Sequence, residues 1–300
     1  MPSYLPKAGP VLLALVAALQ LAACTPRQLI VDSLADELSA SGQGNESDLD
    51  LLRDAAPFHL KLSESVLRQN PGHRALAESV AAGFTQYAYA FVAFDAERIE
   101  ARDAKAAERL RGRAARLYER GHRHAMAALD RGAPGFSAAL AEGGDSSRPI
   151  VGRDRVGLAY WAAASWGGWI SLSKDDPDVV ADLPLAIRLA HLAWVADPDW
   201  GQGALTGLLA TFEAARPGGS PKQALVYFDR AIAQSGGRSA SALVAKAEGY
   251  AQPAGDRALF ESLLRQALTI KDEADSPLRT QNEVMRQRAA WLLDQADDLF

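Results

Sequence analysis

A long uncharged segment in the middle of the chain constrains the fold more than any other feature. No charged residue occurs from Val156 to Ser173, and the segment holds three of the six tryptophans, Trp161, Trp166 and Trp169. Its length approaches that of a bilayer span. Its glycines and serines, however, make it weakly hydrophobic, and no cluster of Lys or Arg flanks it as a cytoplasmic anchor would. The sequence therefore predicts a helix at the centre of a packed fold.

The N-terminus has the features of an export signal. Lys7 precedes an apolar run, Val11–Leu19, which suits a signal peptide and is too short for a membrane span. The next residues, Leu21-Ala22-Ala23-Cys24, resemble the bacterial lipobox. The resemblance implies a lipoprotein signal peptide over residues 1–23, lipid attachment at Cys24, and a single mature domain over residues 24–300. The alternative is an ordinary signal peptide with an incidental cysteine.

The lipobox also implies a location. A lipoprotein of this kind is periplasmic and is held to the cell envelope by its lipid anchor only. Thr25 follows the cysteine where an aspartate would direct the protein to the inner membrane, so the outer membrane is favoured.

Charge and cysteine content narrow the possible partners and sources of stability. The chain has 32 Lys and Arg against 37 Asp and Glu, a net charge of −5, and no strongly basic stretch. We therefore expect no nucleic-acid partner. Cys24 is the only cysteine, so the fold must be stabilised by packing without an internal disulfide.

Beyond the export signal, the sequence predicts an all-α fold. Alanine and leucine are frequent, whereas the β-branched alternation of strands is scarce. We expect polar loops at residues 40–48 and 143–149. Proline and glycine clusters mark further helix ends at Asn70-Pro71-Gly72, Gly132–Gly135, Gly143-Gly144, Asp197-Pro198, Pro217–Gly219, Gly236-Gly237 and Gln252-Pro253.

Small residues recur at the offsets found in the second helix of a tetratricopeptide repeat. The matching sets are Ala186, Ala190, Ala193 and Pro198; Ala224, Phe228 and Ala231 with Gly236 in place of proline; Phe260, Leu264 and Ala267; and, more weakly, Ala114, Tyr118 and Gly121. The first three sets are spaced by 38 and 36 residues, slightly more than the usual repeat of about 34. The pattern predicts a degenerate tetratricopeptide-like helical-repeat solenoid, in which the small residues let paired helices approach closely.

No motif for catalysis or cofactor binding is recognisable. The sequence lacks HExxH, CxxC and a Gly-rich phosphate loop, and His122 and His124 are spaced to point to different faces of a helix. The acidic residues around Pro177 could suggest a metal site, but we interpret them as caps of the next helix. The charged segment Arg98–Arg123 is interpreted as a solvated helix face with i,i+4 ion pairs. We therefore expect no enzymatic activity, no metal and no cofactor.

Aromatic residues in two segments are the candidates for a ligand cavity. Trp166 and Trp169 share a helix face, and Gly167-Gly168 leaves room beside the rings for another backbone or a ligand. Several tryptophans in a short segment often line cavities, although core packing is the alternative for each residue. The candidate lining comprises Phe84, Tyr87, Tyr160, Trp161, Ser165, Trp166 and Trp169.

Four segments together resemble one known family. They are GFTQYAYAFV (83–92), AYWAAASWGGWISLSKDDPDVVADLP (159–184), ADPDWGQGAL (196–205) and DRALFESLLRQAL (256–268). With the lipobox and the ending RAAWLLDQADDLF, they resemble the T component associated with tripartite ATP-independent periplasmic (TRAP) transporters, TatT. The resemblance implies a periplasmic lipoprotein of tetratricopeptide-like helix pairs that self-associates, with a trimer suspected. It also implies an apolar, pore-like cavity and the transporter's solute-binding P subunit as partner.

Two functions remain open at this point. The first is a non-enzymatic accessory lipoprotein of a TRAP-type system, which binds or conducts a small apolar-tailed solute and docks the P subunit. The second is a tetratricopeptide-like envelope scaffold that acts only through protein–protein contacts. An enclosed apolar tunnel favours the first, and an open polar groove favours the second.

Overall fold

A computed structural model of the chain describes residues 26–41, 46–142, 149–273 and 276–300. The predicted all-α class is confirmed, since the described residues contain no strand and 80% of them are helical. The signal peptide, Cys24 and most of the predicted loop 143–149 lie outside the described residues.

The helices follow one another with short connections. They are α1 (Pro26–Ser41), α2 (Leu49–Gln69), α3 (Arg74–Tyr87), α4 (Phe94–Ile99), α5 (Ala104–Gly132), α6 (Phe136–Glu142), α7 (Val156–Ser171), α8 (Pro177–Ala181), α9 (Leu183–Ala196), α10 (Ala204–Ala215), α11 (Pro221–Gln234), α12 (Ala240–Lys246), α13 (Arg257–Thr269), α14 (Arg279–Asp294) and α15 (Ala296–Leu299). A π-helical segment, Ala88–Ala93, joins α3 to α4, and a second, Ala247–Ala251, continues α12.

The predicted helix ends within the described residues agree with the observed ones. For example, α2 ends just before Asn70-Pro71-Gly72, and α9 ends just before Asp197-Pro198. The acidic segment after α7 caps α8 as interpreted, because the Asp176 carboxylate accepts hydrogen bonds from the backbone N–H groups of Asp178 and Val179. No group of His, Cys, Asp or Glu residues suited to hold a metal occurs in the part of the chain that the structure describes.

The small residues of the repeat pattern are buried where helices meet. Ala186, Ala190 and Ala193 of α9 have no exposed surface, and Ala224 and Phe228 of α11 are equally buried. Consecutive helices from α9 to α14 pack against one another. This packing agrees with helix pairing, and the assignment to a tetratricopeptide-like solenoid stays a prediction.

The uncharged segment forms the central helix, as predicted. Helix α7 packs against α3, α5 and α9. Val156, Leu158, Ala159 and Ala162 have no exposed surface, so the first half of the helix is buried around most of its circumference. This environment explains why the segment has no charged residue.

A different segment, residues 177–196, has the length and hydropathy of a membrane span. Its mean hydropathy is 1.5, and 28% of it is buried. The segment is interrupted at Asp182, between α8 and α9. One face of α9 is fully buried against α7, and Arg188 donates a hydrogen bond to the carbonyl oxygen of Leu140. These contacts place α9 in the packed core of the described chain.

The last long helix returns to the first half of the chain. Arg288 of α14 makes bidentate ion pairs with Glu248 of the second π-helical segment (2.7 and 2.9 Å) and with Glu97 of α4 (3.0 and 3.3 Å). Phe94 meets Trp291 edge to face at 5.5 Å. We call Arg288 and its two carboxylates the Arg288 junction, since it ties both halves of the chain together.

The interpretation of the charged segment as a solvated face is wrong for part of it. Arg120 of α5 pairs in bidentate fashion with Glu64 of α2, whose side chain is only 5% exposed. Burial alone would raise the pKa of Glu64, but hydrogen bonds from Arg120, Lys61 and His124 outweigh it and hold the pKa well below its usual range. The segment thus contains a cross-helix ion cluster as well as exposed pairs such as Arg123–Glu119.

Candidate functional site

The central feature of the site is a histidine that contacts two tryptophans of α7. His122 lies on α5, and its ring centroid is 4.4 Å from that of Trp166 and 6.1 Å from that of Trp169. Trp166 is 6% exposed, whereas Trp169 is half-buried. The prediction that these tryptophans share a face is confirmed, because one ring contacts both.

His122 is held as a neutral ring. Its Nδ1 lies 3.2 Å from the carbonyl oxygen of Ala162, so Nδ1–H is the donor and Nε2 keeps a free lone pair. Burial lowers the pKa of His122 to about 4, and the hydrogen bond to Ala162 offsets only part of this effect. The ring is therefore an uncharged acceptor near neutral pH.

The indole of Trp166 adds an unused donor beside this acceptor. Its Nε1 is buried and has no hydrogen-bond partner in the structure. A buried N–H group without a partner costs about 1–3 kcal/mol. The neighbourhood of His122 and Trp166 thus offers a donor and an acceptor in surroundings that are otherwise apolar.

A second aromatic group lies on a different side of α7. Tyr160 contacts Trp161 at 4.8 Å and Trp200 at 4.5 Å, measured between ring centroids. Burial raises the pKa of Tyr160 to about 12, and its side chain is half-buried. Three aromatic side chains thus form a second cluster beside α7.

The two candidates from α3 occupy other environments. Phe84 is 3% exposed, stacks on His124 at 6.1 Å and lies under the guanidinium of Arg120 at 4.8 Å. Tyr87 contacts Phe91 at 5.4 Å. The rings that these two side chains contact differ from those around Trp166 and Tyr160.

The serines of α7 are engaged within their own helix. Ser165 is fully buried, and its hydroxyl donates to the carbonyl oxygens of Trp161 (2.6 Å) and Ala162 (3.1 Å). The hydroxyl of Ser171 donates to the carbonyl oxygen of Gly168. The hydroxyl hydrogen of Ser165, a predicted lining residue, is therefore already used. Trp166 and His122 remain as the polar side chains of the aromatic cluster beside α7.

The space beside Gly167-Gly168 is filled by protein side chains. A β-carbon at Gly167 would lie 2.7 Å from the ring of Phe212, and one at Gly168 would lie 2.6 Å from the ring of Tyr118. The expectation that these glycines leave room for a ligand is therefore wrong. Their physical role is to let two aromatic rings pack directly against the α7 backbone.

Sequence reasoning missed three residues that build the site. Tyr118 was noted only as a repeat position, and His122 only as a histidine that points to a different helix face from His124. Trp200 lies in ADPDWGQGAL, a segment used for the family resemblance but not for the site. The available signal was the spacing of Tyr118 and His122, which puts both on one face of α5.

Comparisons with known proteins agree with the resemblance found in the sequence. A family model described as TRAP transporter T-component matches residues 45–300. An uncharacterized protein of Treponema pallidum (strain Nichols) is 27% identical to this chain, and the match covers 93% of this chain and 94% of the relative.

Proposed function

Because the chain belongs to the TRAP transporter T-component family, we propose that it is a non-enzymatic accessory lipoprotein of a TRAP-type transport system. It is attached to the envelope through Cys24 and faces the periplasm. It binds a small ligand with an apolar tail near α7 and docks the solute-binding P subunit.

The observation that carries the ligand-binding proposal is the unpartnered N–H of Trp166 beside the neutral ring of His122. A buried polar group without a partner calls for an explanation, and a bound ligand with a hydrogen-bond acceptor would supply one. Burial also raises the pKa values of Tyr160 and Tyr89 to about 12, so both hydroxyls lie in surroundings of low polarity.

The polar groups near α7 suggest the chemistry of the ligand. The N–H of Trp166 offers a donor, and Nε2 of His122 offers an acceptor, in apolar surroundings. A protonated carboxyl or a hydroxyl group can satisfy both atoms, since each such group donates and accepts. An amphipathic molecule such as a fatty acid therefore fits the site better than an inorganic ion.

A second surface supports docking of a protein partner. Four arginines of α5 line a shallow groove of about 340 Å³ on a chain with net charge −5: Arg113, Arg116, Arg120 and Arg123. Arg120 is paired with Glu64, whereas Arg113 and Arg116 are exposed. Opposite charge steers association and fixes orientation, so the P subunit is expected to present an acidic surface to this groove.

Ligand binding is tested with a fluorescent fatty acid and the mature chain. We expect the wild type to bind the probe, and Trp169→Ala to weaken binding because Trp169 borders the His122 group. Trp194→Ala is the matched control, since the Trp194 N–H is already bonded to the Thr206 hydroxyl at 3.2 Å. A wild type that does not bind the probe would favour the scaffold function.

Attachment and docking are tested separately. In Cys24→Ala we expect loss of palmitate labelling and release from the membrane fraction.

Arg113→Glu with Arg116→Glu should abolish capture of the P subunit while leaving probe binding intact. Light scattering on the soluble mature chain should report an assembly larger than a monomer, with the trimer as the expected size. A monomer that captures no P subunit would contradict both the oligomer and the docking proposal.

A further inference from the structure

Exposed large hydrophobic side chains are concentrated on α1 and α2. Of the eleven large hydrophobic side chains that are exposed among the described residues, five lie on α1 and α2. On α1, Ile30 is 67% and Leu34 is 40% exposed. Exposed hydrophobic residues that occur singly need no explanation, but a concentration on two neighbouring helices does.

The exposed large hydrophobic residues of α2 share one face of the helix. Leu51, Phe58 and Leu62 are 56%, 75% and 37% exposed, and their spacing of seven and four residues puts them on one helix face. The opposite face carries Leu60 and Leu67, which are buried in the core. A surface helix is normally apolar on its inner face only, so the outer face of α2 has the composition of a contact surface.

The two apolar faces lie on helices that contact each other. Helix α1 packs along α2, and Asn70 at the end of α2 bonds to Asp32 of α1 at 2.6 Å. On α1, Ile30 and Leu34 are one turn apart and line a shallow depression with Ser33 and Glu37. We call the five exposed residues Ile30, Leu34, Leu51, Phe58 and Leu62 the N-terminal apolar surface.

The lipid anchor identifies what covers this surface. Only Thr25 separates Cys24 from Pro26, the first residue of α1. Two residues of extended chain span at most about 7 Å, and Leu34 lies only about 12 Å further along the helix axis. An acyl chain inserted in a bilayer therefore holds the start of α1 near the membrane surface, with Ile30 and Leu34 within about 20 Å of the anchor.

We infer that the N-terminal apolar surface lies on the phospholipid bilayer and gives the anchored protein a fixed orientation. This inference rests on the lipid attachment at Cys24 proposed above. Apolar side chains beside a lipid anchor insert into the boundary between headgroups and acyl chains. The short link from Cys24 to α1 limits the distance between the protein and the bilayer. The apolar faces of α1 and α2 determine which side of the protein contacts the bilayer.

The inference is tested by spin labelling of the acylated full-length protein. Cys24 is the only cysteine and its thiol is consumed by acylation, so an introduced cysteine is the sole reactive thiol. Labels are placed with Phe58→Cys and Leu34→Cys. Val195→Cys is the matched control, because Val195 on α9 is 74% exposed, close to the 75% of Phe58. The proteins are reconstituted on vesicles of phosphatidylethanolamine and phosphatidylglycerol.

The measurement compares collisions of each label with oxygen, which concentrates in lipid, and with a water-soluble nickel complex. We expect the oxygen-to-nickel ratio to be several-fold higher at positions 34 and 58 than at position 195. Equal ratios at all three positions would overturn the inference. Spin–spin broadening at positions 34 and 58 with protection from both reagents would overturn it in favour of a second copy of the chain. Failure of the wild type to sediment with vesicles would instead refute the anchor, and this membrane-contact surface with it.

Discussion

The surroundings of α7 are mainly buried apolar groups, whereas the Arg288 junction places one buried guanidinium between two partly exposed carboxylates. Around α7 the contacts are mostly aromatic and small apolar groups, and the imidazole of His122 is kept neutral. At the junction a guanidinium that is 10% exposed contacts two carboxylates. Burial would lower the pKa of Arg288, but nearby groups, including Glu248 and Glu97, raise it well above its usual value.

The two regions should therefore differ in how much stability they lose when a single side chain is removed. A hydrophobic contact is non-directional, so loss of one ring around α7 leaves the other contacts in place. A buried ion pair is different, because removal of one charge leaves the others desolvated without a partner. The junction should therefore be the more sensitive of the two regions to a single substitution.

The largest effect is expected for Arg288→Ala. This change leaves the carboxylates of Glu97 and Glu248 without their bidentate partner, which should lower the free energy of unfolding by about 3–5 kcal/mol. Urea unfolding of the soluble mature chain measures the loss.

Two further variants test the cause. Arg265→Ala removes an arginine from an exposed i,i+4 pair with Glu261, so it should cost no more than about 0.5 kcal/mol. The combination of Arg288→Met, Glu97→Gln and Glu248→Gln should recover part of the stability, since no unpaired charge remains. A triple variant as unstable as Arg288→Ala would show that packing of the arginine stem, and not charge pairing, dominates the junction.

An intermediate effect is expected when a methyl group is added to α7. In Gly168→Ala the new carbon would meet the ring of Tyr118 at 2.6 Å. We expect a destabilisation of about 1–3 kcal/mol, typical of overpacking, measured by thermal or urea unfolding.

Gly112→Ala is the matched control for this substitution. Gly112 also lies in a helix, but the nearest atom to an added β-carbon is 3.6 Å away. The same change should therefore stabilise the protein by about 0.5–1 kcal/mol, because alanine favours the helix. Equal effects at positions 112 and 168 would argue against tight packing of Tyr118 on α7.

The smallest effect is expected from the titration of His122. Its pKa in the folded protein is about 4, below the value of about 6.5 for an unfolded chain. Between these pH values the unfolded chain binds more protons, so the free energy of unfolding should fall as the pH is lowered from 6.5 towards 4. Since part of the ring is accessible, we expect about 1 kcal/mol between pH 6.5 and 5.

Comparison with His122→Asn isolates this contribution. Other groups, including Glu64, also affect acid stability, but they are present in both proteins and cancel in the difference. The variant should lose less stability than the wild type over this pH range. An identical pH dependence in the two proteins would mean that the folded-state pKa of His122 is not lowered.

Features encoded in one contiguous segment could be predicted from the sequence. The helical class, the helix ends and the central position of α7 depend on composition and local spacing, and the structure confirms them. Asp176 likewise caps α8 as its position before Pro177 indicated. These predictions succeeded because helix boundaries are set largely by residues within a few positions of the boundary.

Features assembled from distant residues could not be predicted in this way. Phe212 and Tyr118 fill the space beside Gly167-Gly168. The sequence around these glycines does not indicate that either ring packs against α7. Arg120 resembles the other arginines of α5, yet it alone pairs with buried Glu64. The π-helical segment Ala88–Ala93 has no distinct composition either. In the first two cases the decisive partner comes from another helix.

The Arg288 junction also sets the order in which the fold can be completed. Glu97 and Arg288 are 191 residues apart along the chain. Contacts between such distant residues form late, since a long loop must close first. Until α14 packs, Glu97 and Glu248 lack their shared guanidinium and the ring of Phe94 lacks Trp291. A chain that ended before α14 would therefore leave two carboxylates and one aromatic ring of the earlier helices without these partners.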